Sequence, residues 1–272
     1  MAEELASLVS GRRVAVLTGA GCSTESGIPD YRGPTSRARK RQPIQHREFV
    51  GSEAIRRRYW ARSAIGWRLM AAAEPNAAHR ALADMESSGQ LSGLITQNVD
   101  RLHHAAGSRD VIELHGALAE VICLACEALE ARTDLQARML EQNPRFERLV
   151  AEHAPDGDAE LPDDLIDAFQ PPACLRCNGT LKPNVVFFGG SVPRPTVERA
   201  MQNVVEADVL LVVGSSLQVF SGYRFARRAA ERGIPIAIVN LGPTRADELA
   251  ALTLHAAAGE ILPRLASPRS AS

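Results

Sequence analysis

Short apolar runs recur along the chain and alternate with longer amphipathic stretches. Five of these runs stand out: VAVLT (14–18), LSGLIT (91–96), DVIEL (110–114), DVLLVV (208–213) and IPIAIV (234–239). A largely unbroken apolar run is typical of a strand covered on both faces, as in a parallel sheet. We therefore expect these runs to form the strands of one parallel sheet.

The stretches between the runs have the apolar spacing of helices. Residues 77–88 follow Asn76, a good N-cap, and precede Gly89, a residue that ends helices well. Residues 194–207 and 222–233 have helical periodicity too. Strands that alternate with helices predict an α/β fold, a doubly wound Rossmann-like parallel sheet with right-handed crossovers.

Two stretches break this alternation. Residues 35–75 predict a loop followed by a helix, and residues 120–182 are polar, helix-prone and hold four of the five cysteines. We expect a small zinc-binding module at 120–182 and a helical insertion at 35–75. The Rossmann-like core is then expected to comprise residues 1–34, 76–119 and 183–272.

Composition and charge exclude some classes of function. The 272 residues carry a net charge of -1, which gives no electrostatic reason to expect nucleic-acid binding. No apolar run approaches the roughly 18 residues that span a bilayer, so no membrane association is expected. The first residues resemble neither a signal peptide nor an organelle leader. We expect a cytoplasmic protein.

Four cysteines form two C-x-x-C pairs, Cys123 with Cys126 and Cys174 with Cys177. Paired thiols in a cytosolic chain indicate metal binding more often than disulfides. Four thiolates fill the tetrahedral shell of zinc and leave no open position, which predicts one structural Zn²⁺ per chain. Gly179 is expected to supply a permissive backbone in the second turn. The alternative is four ordinary buried cysteines.

The stretch GAGCSTESGIPDYRG (19–33) directly follows the first run. Gly19, Ala20 and Gly21 would let a phosphate approach the backbone closely. A dinucleotide-binding G-x-G-x-x-G pattern, however, would have glycine where Thr24 stands. A tight strand-to-helix turn without a ligand explains the three residues equally well. Cys22, inside this loop, is expected to be buried.

Polar residues follow the other runs, at the strand ends where doubly wound folds bind ligands. They are Gln97, Asn98, Asp100, His115, Ser215, Ser216 and Asn240. His115 suits a general base, because its ordinary pKa is near neutrality. Turns, helix caps and a hydrogen-bonded core histidine are the structural alternatives.

The motifs together resemble one family. GAG-x-S-x-x-SGIPD-[FY]-R, TQN-x-D, ELHG, two C-x-x-C pairs, KP-x-VV-x-FG, GSSL and VNLG occur in this order. This order is similar to that of the sirtuins, which are NAD-dependent protein-lysine deacylases, over residues 8–265. The segments RQPIQH (41–46) and RYWARSAIGW (58–67) resemble the class II subfamily of the mitochondrial fourth human sirtuin. Without an organelle leader, the chain resembles a bacterial member.

The resemblance implies a role for each matching residue. His115, Asn98 and Asp100 would be catalytic, and the four cysteines would bind structural zinc. Val186, Phe188 and Gly189 would pair with the backbone of an acylated-lysine protein. The residues implied to contact NAD⁺ as co-substrate are Gly19, Ala20, Gly21, Ser23, Thr24, Asp30, Tyr31, Arg32, Gln97, Asn98, Val99, Asp100, Gly214, Ser215, Ser216, Asn240, Leu241, Gly242 and Ala258.

The implied reaction releases nicotinamide, deacylated lysine and O-acyl-ADP-ribose, with His115 as general base. Two alternatives use the same NAD site. The protein could be a mono-ADP-ribosyltransferase that acts on proteins, or a non-enzymatic NAD-sensing module that zinc stabilises. The missing third glycine argues against a hydride-transferring dehydrogenase. Tyr59, Trp60 and Trp67 are expected to be core residues rather than an acyl-recognition site. The sequence predicts neither the acyl group nor the oligomeric state.

Overall fold

The structure is a computed structural model. It describes residues 2–30, 44–149, 153–154, 158–159 and 161–266. The described residues group into two compact units. The first comprises 2–30, Glu74–Leu114 and 192–266, and the second comprises the described residues of 44–73 and His115–Ser191.

A six-stranded parallel sheet is the centre of the first unit. Its strands are β1 (Val14–Thr18), β2 (Leu91–Thr96), β3 (Val111–Glu113), β9 (Val209–Val213), β10 (Ile236–Val239) and β11 (Leu252–Leu254). Their order is β11-β10-β9-β1-β2-β3, and every neighbouring pair is parallel. The predicted doubly wound α/β fold is confirmed. All five predicted runs are strands, and β11 is an additional one.

The strand order reverses between β1 and β9, and the two strand ends pack closely there. The Gly19 N–H donates to Val213 O at 3.0 Å, and the Gly21 N–H donates to Gly214 O at 2.8 Å. Gly214 has a φ of 59°, and a Cβ on it would lie 2.2 Å from the Cys22 backbone nitrogen. Only glycine fits this position. Doubly wound sheets bind ligands at such a switch point, outside the carboxyl ends of the strands.

The helices of the first unit are α1 (Ala2–Val9), α4 (Ala77–Ser87), α5 (Leu102–Ala105), α8 (Arg194–Val205), α9 (Phe220–Glu231) and α10 (Ala258–Ile261). The Asn76 side chain accepts the N–H groups of Ala78 and His79, which confirms the predicted cap of α4. Helix α9 begins two residues before the predicted start. None of the helices that the described residues form is long and apolar enough to cross a membrane.

Both faces of the parallel sheet are covered, which explains its unbroken apolar strands. In β9, Leu210 and Val212 belong to one apolar cluster, whereas Leu211 and Val213 belong to another. All five residues of this strand are buried. Alternate residues of the strand therefore point to two different apolar faces, and neither face is exposed to solvent.

The elements of the second unit are α2 (His46–Gly51), α3 (Glu53–Ala72), β4 (Gly116–Cys123), β5 (Leu129–Ala131), α6 (Arg132–Gln142), β6 (His153–Ala154), β7 (Asp158–Ala159), α7 (Asp163–Ala168) and β8 (Leu181–Val185). They include a small antiparallel sheet of order β5-β4-β8 and a two-stranded pair, β6-β7. The apolar pattern did not predict this sheet. Trp60 of α3 is 1% exposed and donates its indole N–H to Leu181 O at 3.3 Å, which confirms it as a core residue.

Candidate functional site

Ser23 lies at the centre of a hydrogen-bond network beside the switch point. Its hydroxyl donates to Asp100 Oδ2 at 2.7 Å and accepts from Asn98 Nδ2 at 2.9 Å. The same amide nitrogen of Asn98 also donates to Gly19 O at 3.1 Å. Three residues that the sequence placed after two different strands are therefore brought together in one network.

Asp100 places a buried carboxyl group beside the Ser23 hydroxyl. Burial raises the pKa of Asp100, and hydrogen bonds from the Leu102 N–H and the Ser23 hydroxyl oppose that shift. The Leu102 N–H donates to Asp100 Oδ1 at 2.9 Å, so the residue also ties down the start of α5. One carboxyl oxygen of Asp100 therefore forms the turn that the structural alternative expects, and the other belongs to the network around Ser23.

Gln97 and Ser215 join the ends of β2 and β9. Gln97 Nε2 donates to Ser215 Oγ at 2.7 Å and to Thr18 O at 3.3 Å. A Cβ on Gly222 of α9 would lie 2.4 Å from Gln97 Oε1, so this glycine leaves room for the amide. The helix-cap alternative for Ser215 does not hold, since α9 begins at Phe220.

Two buried histidines support the network, and the sequence analysis did not find their role. His79 Nδ1 accepts the Asn76 N–H at 3.3 Å, so Nε2 carries the proton, 3.5 Å from Ser23 Oγ. His103 Nε2 lies 2.9 Å from Thr18 Oγ1, whose hydroxyl donates to Thr96. Burial lowers the pKa of His79 to about 4 and lowers that of His103 well below its ordinary value. Both rings are therefore neutral.

Cys22 lies in the same buried cluster, as expected. The ligand atoms of Cys22, His79 and His103 are within 4.8 Å of one another. However, one ring nitrogen of His79 accepts a backbone N–H and the other faces Ser23, so His79 could ligate a metal only by breaking these contacts. Burial also raises the pKa of the Cys22 thiol. We interpret the cluster as neutral core packing under the loop.

The remaining positions implied to contact NAD lie around the same sheet edge or in the loop. Asn240 follows β10 and donates from Nδ2 to Gly242 O at 2.7 Å, and Leu241 between them is 49% exposed. Ala258 begins α10 and is buried. Ala20 begins the short 3₁₀ turn after Gly19, and Thr24 Oγ1 donates to Gly21 O at 3.0 Å.

Five further implied contacts complete the set. Val99 and Asp30 are buried, with exposed fractions of 8% and 7%. Ser216 O accepts the Arg245 N–H at 2.9 Å. Tyr31 and Arg32 lie outside the described residues.

Gly19 and Gly21 serve the packing of the loop rather than hydrogen bonding to a ligand through their N–H groups. The N–H groups of Gly19, Gly21 and Cys22 all donate to carbonyl groups of the protein itself, at 2.8–3.0 Å. The glycines are therefore needed for the close packing of this loop against Gly214. The polar side chains described above, rather than these N–H groups, offer hydrogen bonds to a ligand.

Cys123, Cys126, Cys174 and Cys177 form a compact cluster in the second unit. All four Sγ atoms lie within 4.8 Å of one another, with Cys123–Cys177 at 3.5 Å and Cys126–Cys174 at 3.7 Å. A tetrahedron with Zn–S bonds of about 2.3 Å has S–S edges of about 3.8 Å. The donor set and its spacing therefore fit a zinc ion, and they leave no ligand position open for a substrate.

Two matching turns build this cluster. The Ala125 and Arg176 N–H groups donate to Cys123 Sγ and Cys174 Sγ, both at 3.4 Å. Each turn ends on a left-handed residue, Glu127 at a φ of 58° and Asn178 at 57°. The expectation for Gly179 is thus corrected: Asn178, not Gly179, has the left-handed backbone. Glycine is needed at 179 because a Cβ there would lie 3.0 Å from Sγ of both Cys123 and Cys177.

Without a metal ion, the thiols of this cluster differ in pKa. A hydrogen bond from the Cys126 N–H is the largest cause that lowers the pKa of Cys123, to about 6. Hydrogen bonds with the thiols of Cys126 and Cys123 raise the pKa of Cys177 to about 12. A divalent cation supplies the positive charge that lets all four exist as thiolates together.

His115 begins the second unit, and its backbone is held beside the segment after β8. The Val186 N–H donates to His115 O at 2.8 Å. Phe188 O accepts the His46 N–H at 2.8 Å, and Gly189 has a φ of 75° next to the Gln45 side chain. The implied general base and the implied substrate segment, Val186–Gly189, are therefore neighbours within one unit.

Sequence comparisons find relatives that cover most of the chain. The model of the Sir2 family matches residues 19–221. An NAD-dependent protein deacetylase of Xanthomonas axonopodis pv. citri (strain 306) is 52% identical over 257 residues, which cover 94% of this chain and 88% of the relative. NAD-dependent protein deacetylase 1 of Mycobacterium avium (strain 104) is 52% identical, with 98% and 95% covered.

Structural comparisons lead to the same family. A solved Sir2 structure with a p53 peptide and NAD⁺ has a TM-score of 0.78 and 31% identity, with 97% of each chain covered. A Sir2 structure bound to a propionylated peptide has a TM-score of 0.75 and 31% identity, with 97% and 96% covered. The family model, the relatives and the solved structures all indicate the same family over most of the chain. The chain therefore belongs to the Sir2 family.

Proposed function

We propose that this protein is an NAD-dependent protein-lysine deacylase that releases nicotinamide and O-acyl-ADP-ribose. The observation that carries the proposal is the network of Ser23, Asn98 and Asp100 at the switch point of a Sir2-family chain. Relatives named NAD-dependent protein deacetylases, and Sir2 structures with NAD⁺ and peptides, support it.

The network has the chemistry that an NAD site needs. NAD would supply the ADP-ribosyl group and the nicotinamide leaving group. Asp100 can accept hydrogen bonds from ribose hydroxyl groups, and Asn98 is held in place by Gly19 O and Ser23. We propose the same set of contacts as the resemblance implies: Gly19, Ala20, Gly21, Ser23, Thr24, Asp30, Tyr31, Arg32, Gln97, Asn98, Val99, Asp100, Gly214, Ser215, Ser216, Asn240, Leu241, Gly242 and Ala258.

His115 is the proposed general base. A neutral imidazole can take a proton from a ribose hydroxyl group, which makes that oxygen a nucleophile. Its backbone carbonyl holds the Val186 N–H at 2.8 Å. We propose that Val186, Phe188 and Gly189 pair with the backbone of the acyl-lysine substrate, by addition of a strand. Base and substrate segment then keep a constant spacing through one hydrogen bond.

The four cysteines would hold a structural zinc ion, since four thiolates leave no position for a reacting group. We propose that zinc maintains the second unit and takes no part in the chemistry. Zinc ligation needs reduced thiols, which the cytoplasm maintains, so we propose a cytoplasmic location. The division into a core, a 35–75 insertion and a 120–182 zinc module, and the class II assignment, remain predictions.

The test is mass spectrometry of the purified protein with NAD and a panel of acyl-lysine peptides, from acetyl to succinyl, lipoyl and long-chain groups. We expect nicotinamide and O-acyl-ADP-ribose with at least one peptide, and their amounts rank the acyl groups. Protein that gains the mass of ADP-ribose without O-acyl-ADP-ribose would favour the transferase. NAD binding without either product would favour a non-enzymatic sensor.

A further inference from the structure

Lys182 is a buried cation in the strand that leads to the proposed substrate segment. It is one of two lysines in the chain, the other being Lys40. It lies in β8 opposite Ile122 and is only 7% exposed. Among the residues that the structure describes, no carboxylate forms an ion pair with it. A buried ammonium without such a partner costs free energy unless other groups solvate it.

The groups that solvate Lys182 all belong to the next five residues of the chain. Its Nζ donates to Pro183 O at 2.9 Å and also to Val185 O. The ammonium lies 4.8 Å from the centroid of the Phe187 ring, in cation–π range. Burial lowers the pKa of Lys182 to about 8. The backbone from 183 to 187 therefore curls around one side chain.

The carbonyl groups concerned belong to the part of β8 where its pairing is irregular. The register of β4 and β8 shifts between Gly116 and Val121, which lie opposite Val185 and Pro183. β8 is also an edge strand of its sheet, and no further strand of the described residues pairs with its outer side. Carbonyl groups removed from water need a donor, and Lys182 supplies one to the buried Pro183 and to the half-buried Val185.

The residues that follow Val185 are also held in place by contacts within the second unit. The Phe187 ring packs against Phe49 and Tyr59, with centroid distances of 5.1 and 5.4 Å. The Gly190 N–H donates to Phe187 O at 2.9 Å, which closes a turn. Movement at Val185 or Phe187 would therefore be transmitted directly to Val186 and Phe188.

We propose that Lys182 is a positioning residue for substrate: it holds the backbone from Pro183 to Phe187 so that Val186, Phe188 and Gly189 are preset for an acyl-lysine peptide. The inference rests on the proposed function, because that function makes these three residues the peptide-binding segment. The competing account is that Lys182 only stabilises the second unit. That account predicts that loss of the Lys182 ammonium lowers the stability of the protein without a specific change in the KM for the acyl peptide.

The kinetic test compares Lys182→Met with Lys182→Arg at saturating NAD. Loss of the ammonium should raise the KM for the acyl peptide about tenfold, in keeping with a lost hydrogen bond to a charged donor. The kcat and the KM for NAD should stay within about twofold, and arginine, which keeps charge and donors, should restore most of the loss. If the methionine variant does not fold, Lys182→Gln replaces it.

Arg138→Met is the matched control. Arg138 is another long cation of the second unit, and it donates to Ala173 O at 3.1 Å and pairs with Glu130 at 2.6 Å. Its loss should lower the melting temperature without changing the KM for the peptide. An equal rise of this KM in both variants would assign the effect to general destabilisation and overturn the proposal.

Hydrogen exchange measured by mass spectrometry gives a second readout that needs no activity. The amides of residues 186–190 should exchange about tenfold faster in Lys182→Met than in the wild type, and arginine should restore slow exchange. Unchanged exchange of these amides overturns the inference, and so does faster exchange with an unchanged KM for the peptide. A wild type that releases no nicotinamide with any acyl peptide would refute the proposed function instead, and exchange would then decide whether Lys182 holds the segment.

Discussion

Single polar residues hold the strand ends of the first unit in one arrangement. The Ser23 hydroxyl has three partners, Asp100 and Asn98 from the loop after β2 and His79 from α4. Such a network is rigid when every member is satisfied and costly when one is removed. The sequence could predict that Asn98 and Asp100 lie near the loop, because parallel strands end at one edge. It could not predict His79 or His103, whose partners are distant in sequence and whose positions lie on apolar helix faces.

Ser23→Ala should weaken both the fold and the binding of NAD. The change removes the hydroxyl donor of Asp100 Oδ2 and one of the two acceptors of Asn98 Nδ2, so the free energy of unfolding should fall by roughly 2 kcal/mol. Calorimetric titration should show at least about tenfold weaker binding of NAD. Ser26→Ala is the control, since the buried Ser26 hydroxyl has no hydrogen-bond partner among the described residues. Similar losses in both variants would contradict this view of Ser23.

The neutral state of His79 should make stability depend on pH. Its folded pKa of about 4 lies below the unfolded value of about 6.5. Below pH 6.5 the unfolded chain therefore binds a proton that the folded chain does not, so stability is complete above 6.5 and falls as the pH decreases toward 4. The slope is about 1.4 kcal/mol per pH unit for one such group.

Urea unfolding at pH 7.5 and 5.5 tests this, with His79→Gln as the comparison. Between these pH values the wild type should lose about 1.4 kcal/mol more stability than the variant. Other titrating groups affect both proteins, so the difference isolates His79. Equal losses would mean that His79 is protonated in the folded protein.

At the scale of elements, the parallel strands were predictable and the antiparallel ones were not. Strands such as β9 are buried on both faces, so their sequence is a plain apolar run. β4 mixes buried and half-buried residues, and β5 is three residues long and largely exposed. Neither offers enough apolar pattern to be found. The cysteine pairs were nevertheless predictable, because ligand spacing does not depend on recognising the strands around it.

Loss of zinc should unfold the second unit. Cys123 is fully buried in the apolar cluster of that unit, together with Trp60 and Leu181, so the metal site and this core are continuous. Cys123→Ser should reduce zinc from one ion per chain to a small fraction, and it should lower the melting temperature strongly, because structural zinc contributes folding free energy. Metal analysis and calorimetry measure both effects.

Cys22→Ser is the matched control for this prediction. Cys22 is equally buried but belongs to the first unit and is not one of the four clustered cysteines. The variant should keep one zinc ion per chain, whatever its stability. An unchanged melting temperature in zinc-free wild type would contradict a structural role for the metal.

At the scale of the whole molecule, the chain passes repeatedly between its two units. The first unit supplies the network around Ser23, and the second supplies His115, the substrate segment and the zinc cluster. His115 follows Glu113 of β3 by two residues in the chain. The resemblance to a family implied functional residues in both units, whereas the contacts that hold Lys182, His79 and Gly179 required three-dimensional coordinates.

The most direct test of the account is the amount of O-acyl-ADP-ribose formed from NAD and an acetyl-lysine peptide by wild type, His115→Ala and His104→Ala. His104 is a suitable control, since its side chain is 39% exposed and lies 3.7 Å from Glu113. We predict product with wild type and His104→Ala, and a loss of at least about 100-fold with His115→Ala, the range expected for removal of a general base. Equal product from all three proteins would contradict the role of His115, and no product from the wild type with any acyl peptide would contradict the deacylase itself.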